Sequence, residues 1–180
     1  MKPIYPALMV VGLALAGAVG FVHSGWFYVG ADASDNAFMH WLLHTTMKRS
    51  VATQAADVQT APNLDNPALI RMGAEHYQEM CMQCHLAPGL ASTDIREGLN
   101  PKPPRLEYPA AHMSGKALFW VIKHGVRMTA MPAWGQTHPD HKIWALVAFV
   151  KQLPGMTETQ YKTLTGGSEA SPPPGGDKHE

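Results

Sequence analysis

Residues 81–85 read Cys81-Met82-Gln83-Cys84-His85. This C-x-x-C-H run is the attachment signature of a c-type haem. Two thiols at this spacing can each add across one vinyl group of a porphyrin. The adjoining imidazole can then bond the iron from one side. Both cysteines of the chain lie in this run, so no thiol is left for a structural disulfide. A thioredoxin-like redox pair opens a helix just after a strand, whereas Cys81 closes a predicted helix. A zinc site needs two further ligands at suitable spacing, and no second C-x-x-C or H-x-x-H pair exists. The run therefore predicts a covalent haem c on Cys81 and Cys84, with His85 as an iron ligand.

His85 fills one iron face. The other needs a second ligand. Among 11 methionines, Met131 stands out because Pro132 follows it in a loop between two predicted helices. Proline removes a backbone donor and stiffens the loop. A stiff loop holds sulfur to iron at little reorganisation cost, and a thioether raises the potential by favouring reduced iron. Met128, three residues earlier, is the rival. Packing in a core is the commoner fate of either methionine.

Around these residues the pattern is helical. Asn66-Pro67 reads as an N-cap followed by proline at the first helical position. Ile70, Gly73, Tyr77 and Met80 recur at helical spacing up to Cys81. Residues 86–113, with Pro101-Lys102-Pro103-Pro104-Arg105-Leu106, read as an irregular loop around a haem edge. Ser114 caps a predicted helix over 115–124, with Leu118, Val121 and Ile122 inward and Gly125 just past its end. A last helix begins near Thr137 to Pro139 and stops at Pro154, with Ile143, Val147 and Val150 in one stripe. It is expected to cross the first haem-domain helix near Gly73 and Tyr77. A short helix over 157–164 follows. The Pro-, Gly- and Ser-rich stretch 166–180 reads as disordered.

Upstream, residues 3–31 lack Asp, Glu, Lys and Arg, and the 19 residues Ile4 to Val22 are nearly all apolar. That length is close to the ~20 residues that span a bilayer as a helix. Lys2 places the N-terminus on the cytoplasmic side, and Trp26, Phe27 and Tyr28 form an interfacial belt on the far side. A cleaved signal peptide, cut near Ala16-Gly17-Ala18, is the alternative. Either way the haem domain is expected in the periplasm, on the cytoplasmic (inner) membrane. Asp32 to Asp35 supply capping residues for a juxtamembrane helix over 36–56, on which His40 and His44 share one face. Those histidines read as a polar stripe on an amphipathic helix packed against the membrane or the haem domain, or else as a metal site or a second haem ligand. Pro62 marks a hinge over 61–66. The expected domains are 1–31 (anchor), 32–66 (juxtamembrane helix and linker), 67–155 (haem domain) and 156–180 (short helix and tail).

Over residues 67–155, C-M-Q-C-H, G-V-R-M-T-A-M-P-A-W (125–134) and I-W-A-L-V-A-F-V-K-Q-L-P (143–154) resemble a class I c-type cytochrome. The anchor and H-W-L-L-H-T-T-M-K-R-S-V (40–51) resemble a membrane-anchored bacterial subgroup. The resemblance implies an all-α cytochrome c fold with an N-terminal transmembrane helix, and one covalent haem at Cys81 and Cys84. It implies axial His85 and Met131, aromatics Tyr77 and Trp144 at a helix crossing, and one-electron transfer rather than bond-making catalysis. Net charge is zero, with 14 basic and 14 acidic residues, so bulk charge makes no case for nucleic acid. Between residues 102 and 127, Lys102, Arg105, Lys116, Lys123 and Arg127 stand against Glu107 alone. They read as a rim for an acidic redox partner or as an ordinary surface, with Arg105 and Trp134 as partners for the haem propionates. Three functions stay open: a tethered electron carrier, a fixed haem subunit of a membrane oxidoreductase complex, and a haem enzyme or gas sensor with an open iron face.

Overall fold

A computed structural model describes residues 4–33, 36–59 and 61–166, apart from the side chain of Ile4. The described residues are helical with no strand. The chain divides into two units, Met1–Ala33 and Ser34–Glu180.

The first unit is built on α1 (Ile4–His23). Its residues Tyr5–His23 have a mean hydropathy of 2.0 and are exposed along their length. This helix is long and apolar enough to cross a bilayer. Trp26, Phe27 and Tyr28 follow it, all exposed, with the Tyr28 hydroxyl donating to Asp32 Oδ1 at 2.7 Å.

The second unit opens with α2 (Ala37–Gln54) and a 3₁₀ turn, Ala55–Asp57. The cap of α2 is Asn36, whose side chain accepts from Met39 N at 2.8 Å, not a residue of the expected stretch 32–35. An Asn oxygen meets the third amide of the helix only from the position just before it. Ser34 and Asp35 lie outside the described residues. Of the expected apolar positions, Val51 on α2 and Ala55 in the 3₁₀ turn are buried, while Phe38, Trp41 and Leu42 on α2 are exposed.

Next comes α3 (Pro67–Met80), capped by Asn66, which accepts from Ala68 N at 3.0 Å. It packs across α8 (Asp140–Val150), which Pro139 precedes. Gly73 makes this crossing tight. A Cβ there would sit 2.0 Å from the Ala145 carbonyl oxygen and 2.8 Å from Phe149 Cβ. The ring facing Tyr77 is Phe149, at 5.1 Å between centroids. Trp144, expected at the same crossing, instead stacks on Phe119 of α7 (Gly115–His124) at 4.2 Å. Successive residues on a helix point about 100° apart, so Ala145, which meets Gly73, turns its neighbour Trp144 to another side. Ile143 and every residue from Ala145 to Val150 are buried, because α3 and α7 cover α8 from different directions.

The expected loop 86–113 contains two short helices, α5 (Asp94–Glu97) and α6 (Glu107–His112). Thr93 starts α5 by accepting from Arg96 N at 3.2 Å. Between them, residues 101–105 carry no regular structure, as three prolines without N–H groups dictate. Ser114 caps α7, accepting from Ala117 N at 3.2 Å. Its inward face is Leu118, Phe119 and Ile122, with Val121 half-buried. The chain closes with α9 (Glu158–Leu164), started by a capping box between Thr157 and Gln160. Tyr161 carries its ring under Tyr77 and Phe149. Beyond Gly166, the tail expected to be disordered lies outside the described residues.

Candidate haem site

The C-x-x-C-H run is a helical turn, α4 (Met82–His85), continuing α3 after a bend at Cys81. The backbone stays connected across the bend: Cys81 N donates to Tyr77 O at 2.9 Å and His85 N to Cys81 O at 2.8 Å. Positions i, i+3 and i+4 of one turn share a side, so Cys81, Cys84 and His85 lie on the same side of it. Both thiols are free. Burial pushes Cys81 up to about 12 and raises Cys84 as well.

After His85 the chain turns sharply at Leu86, whose φ is 64°. A leucine in this region is strained by roughly 1–3 kcal/mol. Burial of its side chain and the Tyr77 hydroxyl, which donates to Leu86 O at 2.6 Å, hold it there.

His85 is positioned from the proline strap. Its Nδ1 lies 2.8 Å from Pro104 O. A carbonyl only accepts, so Nδ1 carries the proton and Nε2 keeps its lone pair. Burial lowers the His85 pKa, which favours the neutral, ligating ring; the bond to Pro104 O opposes this and the nearby Arg96 charge adds to it. A second ring nitrogen tied to a carbonyl is the usual device for orienting a metal-bound histidine. The strap can serve because Pro103 and Pro104 lack N–H groups and their carbonyls stay available. Pro103 O takes Arg96 Nη2 at 3.0 Å.

The other methionine-bearing loop is equally determined. Gly125 ends α7 with φ 67°, and a Cβ there would lie 2.7 Å from Met131 O and 2.8 Å from Ala133 N. Val126 N donates to Met131 O at 3.2 Å, and Thr129 bridges Val126 O and Met131 N. The loop thus folds back on Gly125. Met131 is half-buried and packs against the same apolar cluster that Cys81 packs against. Met128 is 71% exposed.

The basic rim is largely paired. Lys102 meets Glu97 at 2.6 Å, Arg105 meets Glu107 at 3.5 Å, and Lys123 meets Asp140 at 2.7 Å. Two of these acids lie outside the 102–127 window, which is why the window alone looked uncompensated. Arg105, expected to face a propionate, is half-exposed and reaches Glu107 and Leu90 O. Trp134 is half-buried against the core, edge-on to His138. His40 and His44 stack at 5.8 Å on α2. Among the described residues no group of three or more His, Cys, Asp or Glu could hold a metal ion.

Sequence reasoning missed Thr93 and Arg96. Thr93 donates to Gln83 O within the C-x-x-C-H turn and caps α5. Thr93 three residues before Arg96 in a polar stretch was the available signal for that cap. The side chain of Arg96 is only 15% exposed, and its Nε is buried without a hydrogen-bond partner. A buried, unanswered cationic donor beside the attachment turn fits a group that carries carboxylates, as haem does.

Residues 68–150 match the family model for cytochrome C oxidase, cbb3-type, subunit III. No curated protein and no solved structure matches the chain.

Proposed function

We propose that the chain, whose residues 68–150 match a c-type cytochrome family model, works as a membrane-tethered, periplasmic electron carrier with one His/Met-ligated haem. In this reading residues 1–31 anchor it, 32–66 link, 67–155 hold the haem, and 156–180 form a short helix and tail. When bound, the haem supplies an iron that cycles between its ferrous and ferric states. Cys81 and Cys84 would hold the cofactor covalently, and His85 Nε2 would be a ligand to its iron. Pro104 O fixes the plane of that imidazole. Met131 would supply a soft sulfur as a further ligand, held by the loop that closes at Gly125. The apolar cluster on which Cys81 and Met131 pack would keep water from the bound group, and two protein ligands would leave it no substrate position.

The observation that carries this reading is the His85 Nδ1 bond to Pro104 O, which leaves the Nε2 lone pair free for iron. The test is carbon monoxide binding to the reduced full-length protein at neutral pH. Slow, weak binding is expected; rapid, tight binding would replace the carrier with a haem enzyme or sensor. A second reading, a fixed haem subunit of a membrane oxidoreductase complex, is favoured by the oxidase-subunit description of the matching family. Purification in mild detergent separates the two. A stable stoichiometric partner supports the subunit, and a lone haem protein supports the carrier.

A further inference from the structure

Arg96 holds more positive charge in its surroundings than they answer. Its side chain is 15% exposed, and its closest acid is Glu97, at 4.0 Å from Nη1. That carboxylate is already engaged by Lys102 at 2.6 Å and by the Ser92 hydroxyl. Nη2 donates to Pro103 O, while Nε is buried with no partner. A cation so far removed from water is costly unless an anion and a full set of acceptors meet it. Its surroundings also single it out. The guanidinium and the His85 imidazole hang on consecutive carbonyls, Pro103 O and Pro104 O. Thr93, which caps the turn bearing Arg96, is bonded to Gln83 O inside the attachment motif.

We infer that Arg96 binds a carboxylate of the haem through its Nε side while its Nη2 holds the proline strap that orients His85. The inference rests on the proposed attachment of haem at Cys81 and Cys84. Those thioethers engage the vinyl edge, so the carboxylate edge must be held by other parts of the fold. A planar guanidinium with donors on two edges can hold a carboxylate on one and a carbonyl on the other. Arg105, the basic residue that follows the strap, is half-exposed and turned to Glu107. Arg96 thereby acts as a cofactor-binding residue and, through Pro103, as a positioning residue for the iron ligand.

The test uses full-length holoprotein in detergent, with haem labelled by ¹³C at its carboxylates. Parent, Arg96→Gln, Arg96→Lys and Arg105→Gln are compared by reduced-minus-oxidised infrared difference spectra and by redox titration. Covalent haem is checked first by mass. If the parent carries none, the haem reading itself fails, and this inference with it. With haem attached, Arg96→Gln should shift the labelled carboxylate bands and lower the midpoint potential, because a cation near the iron disfavours the ferric state. Arg105→Gln should leave the bands in place. Arg96→Lys keeps the charge but loses the two-edged fork, so it should shift the bands with a smaller change in potential. If Arg96→Gln does not accumulate, the lysine variant decides. Unmoved bands in the Arg96 variant that is measured, or bands that move in Arg105→Gln instead, overturn the assignment.

Discussion

Met131 and Met128 sit three residues apart in one loop, yet their surroundings differ. Met131 is half-buried against the core, and Met128 is exposed at a φ of 61°. If Met131 is the proposed soft ligand, replacing it with alanine should open the iron to carbon monoxide and lower the midpoint potential. Met128→Ala should change neither. A Met131→Ala protein with the parent's visible spectrum and potential would show the ligand to be elsewhere. Gly125 makes the same loop possible. Its positive φ and the 2.7 Å approach of Met131 O leave no room for a methyl group. Gly125→Ala should cost at least about 1–3 kcal/mol, read from denaturant unfolding of the holoprotein; an unchanged midpoint would contradict the close approach.

Helix packing depends on equally small margins. The crossing of α3 and α8 is set by Gly73, where a Cβ would lie 2.0 Å from a backbone oxygen that cannot swing aside. Gly73→Ala should therefore separate the helices and destabilise the domain by roughly 1–3 kcal/mol or more, as overpacking does. A stability equal to the parent's would mean that the helices can slide apart freely. Tyr77 adds a polar link from α3 to the turn after His85. Tyr77→Phe keeps the ring against Phe149 and loses the bond to Leu86 O. The expected loss is about 1 kcal/mol, or more if the buried carbonyl stays unanswered. Thermal unfolding of the two proteins side by side measures it.

For the molecule in solution, charge pairing sets what a partner encounters. Lys102, Arg105 and Lys123 each meet an acid, and the chain's net charge is zero. Long-range steering is then weak. The rate of electron transfer to a small acidic redox protein should fall only slightly as salt rises; a steep fall would restore a strongly basic docking rim.

The proposed haem residues were legible in one dimension because their chemistry is local. Cys81, Cys84 and His85 need only a helical turn to share a side, and Asn66, Ser114 and Thr157 need only the next few amides to act as caps. Apolar length alone marked α1, and glycine's missing side chain marked the crossing at Gly73. What the string could not carry was anything settled by meetings between distant segments. Glu97 and Asp140 neutralise cations that looked unopposed within their own stretch. Trp144 turns to Phe119 because Ala145 takes the place against Gly73. The Pro104 carbonyl reaches His85 across the whole α5 loop, and the burial of Arg96 between that strap and the attachment turn has no local signature at all. Chain neighbours determine spacing and capping, while burial, charge pairing and the choice of hydrogen-bond partner arise only where tertiary packing excludes water.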